Sequence, residues 1–273
     1  MTEQRKSRGS IDWRPLLRAS IPFWPLVIVL VGYLWGARVD FANGAYYVNF
    51  PGGPPCHQPL DSPCLLPNSK VASRYTNADV CAVPGRVICL VPIGAVTDET
   101  ISGIAREMHE SYDIDVRVLP PIAVPESAYN VERRQFTSEK LMDAMVASYP
   151  NEYEDGSLIL GVTPVDMYLD FRTRWRYAFG MRRTTPSGAT IAAISTYRMN
   201  FEEFFVVGRV VPVAVTYGYD SERRDERVLK LATKYVGLSH FGLPGSDDPK
   251  SVLFNNILSP SDLDRMSDKL PER

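Results

Sequence analysis

The chain has 273 residues, of which 45% are hydrophobic and 23% charged, enough apolar content for one sizeable core and too much for a disordered or collagen-like polymer. Thirty Lys and Arg stand against 32 Asp and Glu, a formal charge of −2, so no global electrostatic footprint for DNA or RNA exists and no nucleic-acid partner is expected. Prolines cluster between Pro51 and Pro67 and around Pro120, Pro121 and Pro125, which marks those stretches as loops and linkers.

Arg5, Lys6, Arg8, Arg14 and Arg18 precede a charge-free run from Ala19 to Ala37 that carries Phe23, Leu26, Val27, Ile28, Val29, Leu30, Val31 and Leu34. A hydrocarbon core of about 30 Å takes roughly 20 helical residues. The pattern therefore predicts a basic cytoplasmic tail over 1–18 and a transmembrane helix over 19–37 serving as a signal anchor. Everything beyond Asp40 is placed outside, in the periplasm or at the cell exterior. A cleaved secretory signal ending near Ala42-Asn43-Gly44 ranks second, because the apolar span exceeds the usual signal core of about 7–15 residues.

Residues 38–85 read as a Pro- and Cys-rich linker or arm. Cys56, Cys64, Cys81 and Cys89 are even in number and lie on the oxidising side, which predicts two disulfides. Three connectivities are open; pairing neighbours, 56 with 64 and 81 with 89, closes the shorter loops. A zinc site is disfavoured because no C-x-x-C spacing occurs.

Residues 86–273 read as one α/β (α+β) domain. Val87 to Pro92, Val116 to Leu119 and Ser157 to Val162 are short apolar strands. They alternate with helices over Asp98 to Tyr112 and Ser138 to Tyr149, whose apolar residues repeat at helical spacing. Tyr177 to Met181 and Thr190 to Tyr197 flank the turn-rich Thr184-Thr185-Pro186-Ser187-Gly188, a hairpin signal. Arg223 to His240 is a third helix with Val228, Leu231, Ala232, Tyr235 and Leu238 in phase, and a last helix starts near Pro260 after Ser259.

Leu90-Val91-Pro92-Ile93-Gly94, Ala128-Tyr129-Asn130 with Arg133 and Gln135, and Leu160-Gly161-Val162-Thr163 with Asp166 and Tyr168 stand in a fixed order. Phe179-Gly180, Ile194-Ser195 and Gly242-Leu243-Pro244 continue the series. Together they resemble the landmarks of the archaemetzincins, zinc metallopeptidases of the metzincin clan. The resemblance implies a metzincin-like mixed sheet with packed helices. It also implies a helix bearing H-E-x-x-H, in which two His one turn apart grip zinc and the Glu acts as general base.

The corresponding stretch here is Lys234-Tyr235-Val236-Gly237-Leu238-Ser239-His240. Aligned on Gly237, the ligand positions hold Lys234 and Leu238 and the base position holds Tyr235. Aligned on Gly242-Leu243-Pro244, they hold Tyr235 and Ser239. Lys234, Tyr235, Leu238 and His240 thus mark a degenerate zinc site, with Lys234 expected to pair with Asp247 or Asp248. No metal and no cofactor are expected. His109-Glu110-x-x-Asp113 imitates a helical metal motif but reads as the solvent side of its helix, and His240 reads as a helix-dipole partner. Asp166 reads as a carboxylate capping its own turn.

The apolar segment from Phe201 to Tyr217, with Phe204, Phe205, Val206 and Val207, reads first as a hairpin turning at Gly208-Arg209. Its alternative is an interface, as for Tyr46 and Tyr47 in the arm. The expectation that follows is a single-pass, catalytically inactive metzincin-like domain. It would serve as a structural or binding subunit of a larger membrane complex, with the bilayer and integral membrane proteins as partners. A hydrolase with unconventional ligands and a non-cleaving peptide-binding sensor are the alternatives.

Overall fold

Side-chain alternation decides which elements can stack. The computed structural model describes residues 38–42, 45–49, 63–76, 87–149, 157–172, 175–186, 188–200, 203–207, 211–216 and 221–271. The strands are β1 (Arg38–Ala42), β2 (Ala45–Asn49), β3 (Ile88–Pro92), β4 (Val116–Val118), β5 (Tyr129–Asn130) and β6 (Gln135–Thr137) in the first half. They continue with β7 (Leu158–Thr163), β8 (Met167–Tyr168), β9 (Gly180–Thr184), β10 (Thr190–Ser195), β11 (Glu203–Val207) and β12 (Val211–Thr216). The helices are α1 (Ser69–Arg74), α2 (Asp98–Tyr112), α3 (Ser138–Ser148), α4 (Ser221–Ser239) and α5 (Pro260–Arg265).

Five strands form a mixed sheet in the order β4-β3-β7-β10-β9, parallel throughout except for β9, which runs antiparallel to β10. Ile88, Leu90, Leu158, Leu160, Val162, Ala192 and Ile194 face one way, against Ile101, Ile104 and Met108 of α2 and Val228, Leu231 and Val236 of α4. Cys89, Val91, Ile159, Ile191 and Ala193 face the other way, against Leu141, Met142 and Met145 of α3. Parallel strands covered on both faces need apolar residues at every position, which is why the central strands read as continuous apolar runs. The expected mixed α/β fold is therefore present.

α2 has the predicted limits because Thr97 Oγ1 accepts from Thr100 N and Asp113 ends the helix in a left-handed conformation, φ 54°. The first strand of the hairpin starts at Gly180 rather than Tyr177. Tyr177 is drawn out of the sheet by its hydroxyl, which donates to Leu258 O at 2.5 Å, and by the Arg198 guanidinium 4.1 Å from its ring centre. The turn closes through Thr185 N to Ala189 O, 2.8 Å, with Gly188 at φ 88°, a conformation that side chains resist.

The arm does more than connect. Cys64, Leu65 and Val71 are buried, and Cys64 O and Leu65 O accept from Ala95 N and Val124 N at 2.9 Å each. Cys64 and Cys89 are both disulfide-bonded. Upstream, β1 and β2 join β11 and β12 in a second sheet of order β1-β2-β12-β11. There Phe204 pairs with Ala214 across the expected hairpin, and Tyr46 and Tyr47 pair with Val213 and Ala214. The side chains of Tyr46, Tyr47, Phe204, Phe205, Val206 and Val207 lie outside the described residues, as do Cys56, Cys81, the tail 1–18 and the span 19–37. Among the described residues, no helix is long and apolar enough to cross a membrane.

Candidate functional site: the cleft between β9 and α4

Hydrogen bonds fix which way the edge strand presents its backbone. Ser195 N donates to Phe179 O and Thr185 N to Ala189 O, both at 2.8 Å, so residues 179 and 185 belong to hydrogen-bonded pairs of the β9–β10 ladder. Antiparallel pairs alternate, which makes Met181 and Arg183 hydrogen-bonded as well and turns the N–H and C=O of Gly180, Arg182 and Thr184 away from the sheet. Among the described residues nothing pairs with that outer edge. The side chains alternate too. Met181 and Arg183 meet α3, through Ser138 Oγ to Met181 Sδ at 3.1 Å and Arg183 to Asp143 at 2.5 Å. Gly180, Arg182 and Thr184 take the α4 side.

Packed against β9, α4 supplies Lys234 and Tyr235, both buried. The Tyr235 hydroxyl lies directly over Gly180: a Cβ there would sit 2.4 Å from Tyr235 Oη and 3.1 Å from Ala193 O. Burial pushes the Tyr235 hydroxyl above its ordinary pKa. Lys234 Nζ donates to Phe254 O, tying α4 to the Val252–Phe254 turn rather than to Asp247 or Asp248 as expected from the sequence. The reason is distance from water: Asp248 is exposed and occupied locally by Lys250 N, 2.9 Å, whereas Lys234 is only 7% exposed and takes the nearest buried acceptor. Burial first, and the Arg182 charge second, lower its pKa to about 8.

The rest of α4 departs from a simple apolar face. Arg224, Arg227 and Lys230 are buried with Lys234, and Arg227 holds Asp264 through two 2.7 Å bonds and Met199 O through a third at 2.6 Å. Asp166 is not a self-capping turn residue: it takes Arg198 Nε and Nη2 at 2.8 and 2.6 Å and Gln135 Nε2 at 3.0 Å. A guanidinium only 3% exposed requires that bidentate partner, which outweighs a local turn bond.

These donors do not suit zinc. The positions one helical turn apart present an ammonium already committed to a carbonyl and the alkyl side chain of Leu238, which has no lone pair. His240 follows at the end of α4 with its ring edge-on to Phe241, 4.9 Å between centres. His109, Glu110 and Asp113 are exposed on α2, as the sequence suggests. Among the described residues no three His, Cys, Asp or Glu gather as a metal site. Sequence reasoning found Lys234, Tyr235 and Leu238 but missed Arg182 and Phe254. Alternation in the hairpin carried the signal for Arg182; Phe254 acts through its carbonyl, which no side-chain pattern reveals.

No family model matches the chain. An archaemetzincin of Methanocaldococcus jannaschii is 35% identical over 83 residues, 30% of this chain and 42% of that protein, so the chain matches less than half the length of this relative. An archaemetzincin of Haloquadratum walsbyi is 25% identical over 167 residues, covering 61% of this chain and 85% of the relative. The solved zinc-dependent peptidase of Methanocorpusculum labreanum shares the fold, with a TM-score of 0.51 and 19% identity over 67% of this chain and 95% of that one. These relatives overturn the expectation of a catalytically inactive, non-enzyme subunit of a membrane complex. With it go the membrane-complex role, the bilayer and integral membrane proteins as partners, and the expectation of no metal, since the chain is similar to archaemetzincins and, in fold, to a solved zinc-dependent peptidase; the expected anchor 19–37 lies outside the described residues. In the order of its sequence landmarks, in its matches to curated relatives and in its fold, the chain is similar to the archaemetzincins.

Proposed function

We propose that the chain acts on polypeptide, which it takes up as an extended strand along β9. The observation that carries this reading is the outward-turned N–H and C=O of Gly180, Arg182 and Thr184 on an edge strand lined by α4. A peptide pairing there gains main-chain hydrogen bonds without sequence restriction, while its side chains alternate between the two faces of the sheet. That one structural relative is a zinc-dependent peptidase supports polypeptide as the substrate class. No hydrolytic step is routed through zinc, because Lys234, Tyr235 and Leu238 do not supply its ligands.

The test exploits the alternation. Arg182→Pro deletes an outward N–H that the β10 ladder does not use, a position where an edge strand tolerates proline. Arg182→Ala keeps the N–H. Fluorescence anisotropy with labelled extended peptides should show saturable binding that Arg182→Pro weakens at least about tenfold and Arg182→Ala far less. Equal loss in both variants would show that the guanidinium, not the strand edge, holds the peptide. The same peptides followed by mass spectrometry, with and without added zinc, report cleavage directly.

A further inference from the structure

Cys64 and Cys89 are both buried and both disulfide-bonded, and they stand at opposite ends of one strand. Cys89 is the second residue of β3, paired with Arg117 of β4 and Ile159 of β7. Cys64 lies beyond the other end of the strand, where its carbonyl accepts from Ala95 N at 2.9 Å and presses so closely on Gly94 that a Cβ there would collide with it. Between them β3 stays extended: Ile93 N donates to Val162 O and Gly94 N to Ile122 O, both at 2.8 Å, so the parallel ladder runs on past Pro92. At about 3.3 Å per residue, Gly94 is roughly 16 Å from Cys89. The carbonyl contact holds the Cys64 Cα within about 6 Å of Gly94, given ordinary bond lengths. The two cysteine Cα atoms are therefore at least about 10 Å apart, beyond the roughly 7 Å that a disulfide can span.

These two cysteines thus belong to different bridges. The chain has four cysteines, so within one chain Cys64 and Cys89 each take one of the remaining pair, Cys56 and Cys81, which lie outside the described residues. The course of the described chain separates the two choices. Tyr75 and Thr76, which follow α1, line a cavity together with Val116 and Val118 of β4, and those two residues pair with Ile88 and Leu90 on either side of Cys89. Val87 leads directly into β3. Cys81 therefore falls between two points of the chain, Thr76 and Val87, that both lie at the Cys89 end of the strand, whereas Cys64 is held at the far end. That leaves Cys56 for Cys64.

We propose that Cys89 is joined to Cys81 and Cys64 to Cys56, two cystines that fasten the chain at both ends of β3. Each forms by thiol–disulfide exchange with a donor disulfide. One cysteine thiolate attacks the donor, the second displaces it from the mixed disulfide, and the donor leaves as a dithiol carrying the two electrons and, overall, the two protons. The partner this chain needs during folding is accordingly a disulfide donor in an oxidising setting. The full chain, refolded in reduced and oxidised glutathione and capped with N-ethylmaleimide in denaturant, tests the pairing. Trypsin cuts at Arg86, between Cys81 and Cys89, and an aspartate-directed protease cuts at Asp61, between Cys56 and Cys64. Mass spectrometry should find a Cys56–Cys64 and a Cys81–Cys89 peptide pair, no capped cysteine, and separation of each pair on reduction. A Cys64–Cys89 pair, the crossed Cys64–Cys81 and Cys56–Cys89 pairs, a link between two chains or a capped cysteine would each overturn it.

Discussion

Lys234 carries the clearest consequence at the scale of a single residue. Its ammonium is nearly sealed from water, and its pKa falls from 10.5 to about 8. The unfolded chain keeps the proton up to its ordinary pKa while the folded chain releases it near pH 8, so between these values the unfolded state binds more protons and stability rises with pH. Below pH 8 both states are protonated and the cost of burying the charge is constant. Urea denaturation at intervals from pH 7 to 10.5 should show the wild type gaining up to about 3 kcal/mol relative to Lys234→Met across that window. A flat difference would mean that Lys234 is solvated or fully compensated by Phe254 O. Leu238 gives the complementary lesson: an alkyl group one turn away cannot help hold any ion that the ammonium displaces.

At the scale of the element, β9 and α4 approach as closely as they do because residue 180 has no side chain. Gly180→Ala should cost about 1–3 kcal/mol in denaturant unfolding by forcing Tyr235 outward. In a Tyr235→Phe background the cost should shrink, since the hydroxyl is the nearest obstacle and the ring carbon stands farther off at 3.0 Å. Additive effects would place the strain elsewhere. Periodicity reveals elements well where one kind of burial dominates: α2 appears at its predicted limits, and the paired strands β11 and β12 flank Gly208-Arg209 as expected. It reveals less where polar atoms are buried in pairs. Arg227 with Asp264 and Arg198 with Asp166 look like surface residues in sequence, and only tertiary contact supplies the partner that makes their burial tolerable. The cleft was half legible for the same reason: Tyr235 and Lys234 stand on a recognisable helix, but the carbonyl of Phe254 and the outward amides of β9 are backbone groups with no residue signature.

At the scale of the whole molecule, the arm is bound into the domain by covalent and hydrogen bonds. The bridged Cys64 neighbours Leu65, whose carbonyl holds Val124 N, and Cys64 O itself holds Ala95 N. Cys64→Ser should therefore lower stability by about 2–4 kcal/mol, and a reductant, which opens every bridge, should lower the wild type by at least as much. Thermal unfolding with and without dithiothreitol reads both, and an unchanged midpoint for reduced wild type would show that the segment docks without its bridge. The second sheet extends the reach of the arm, since Tyr46 of β2 pairs with Val213 of β12. On the ribosome the first of these strands emerges roughly 170 residues ahead of its partner, a delay on the order of 10–30 s at about 5–20 residues per second. For that interval the β1–β2 hairpin has an edge with no permanent neighbour, an invitation to mispairing with other nascent chains. Slower synthesis at lower temperature should therefore raise the soluble yield, the expected consequence of closing a sheet between strands so far apart in the chain.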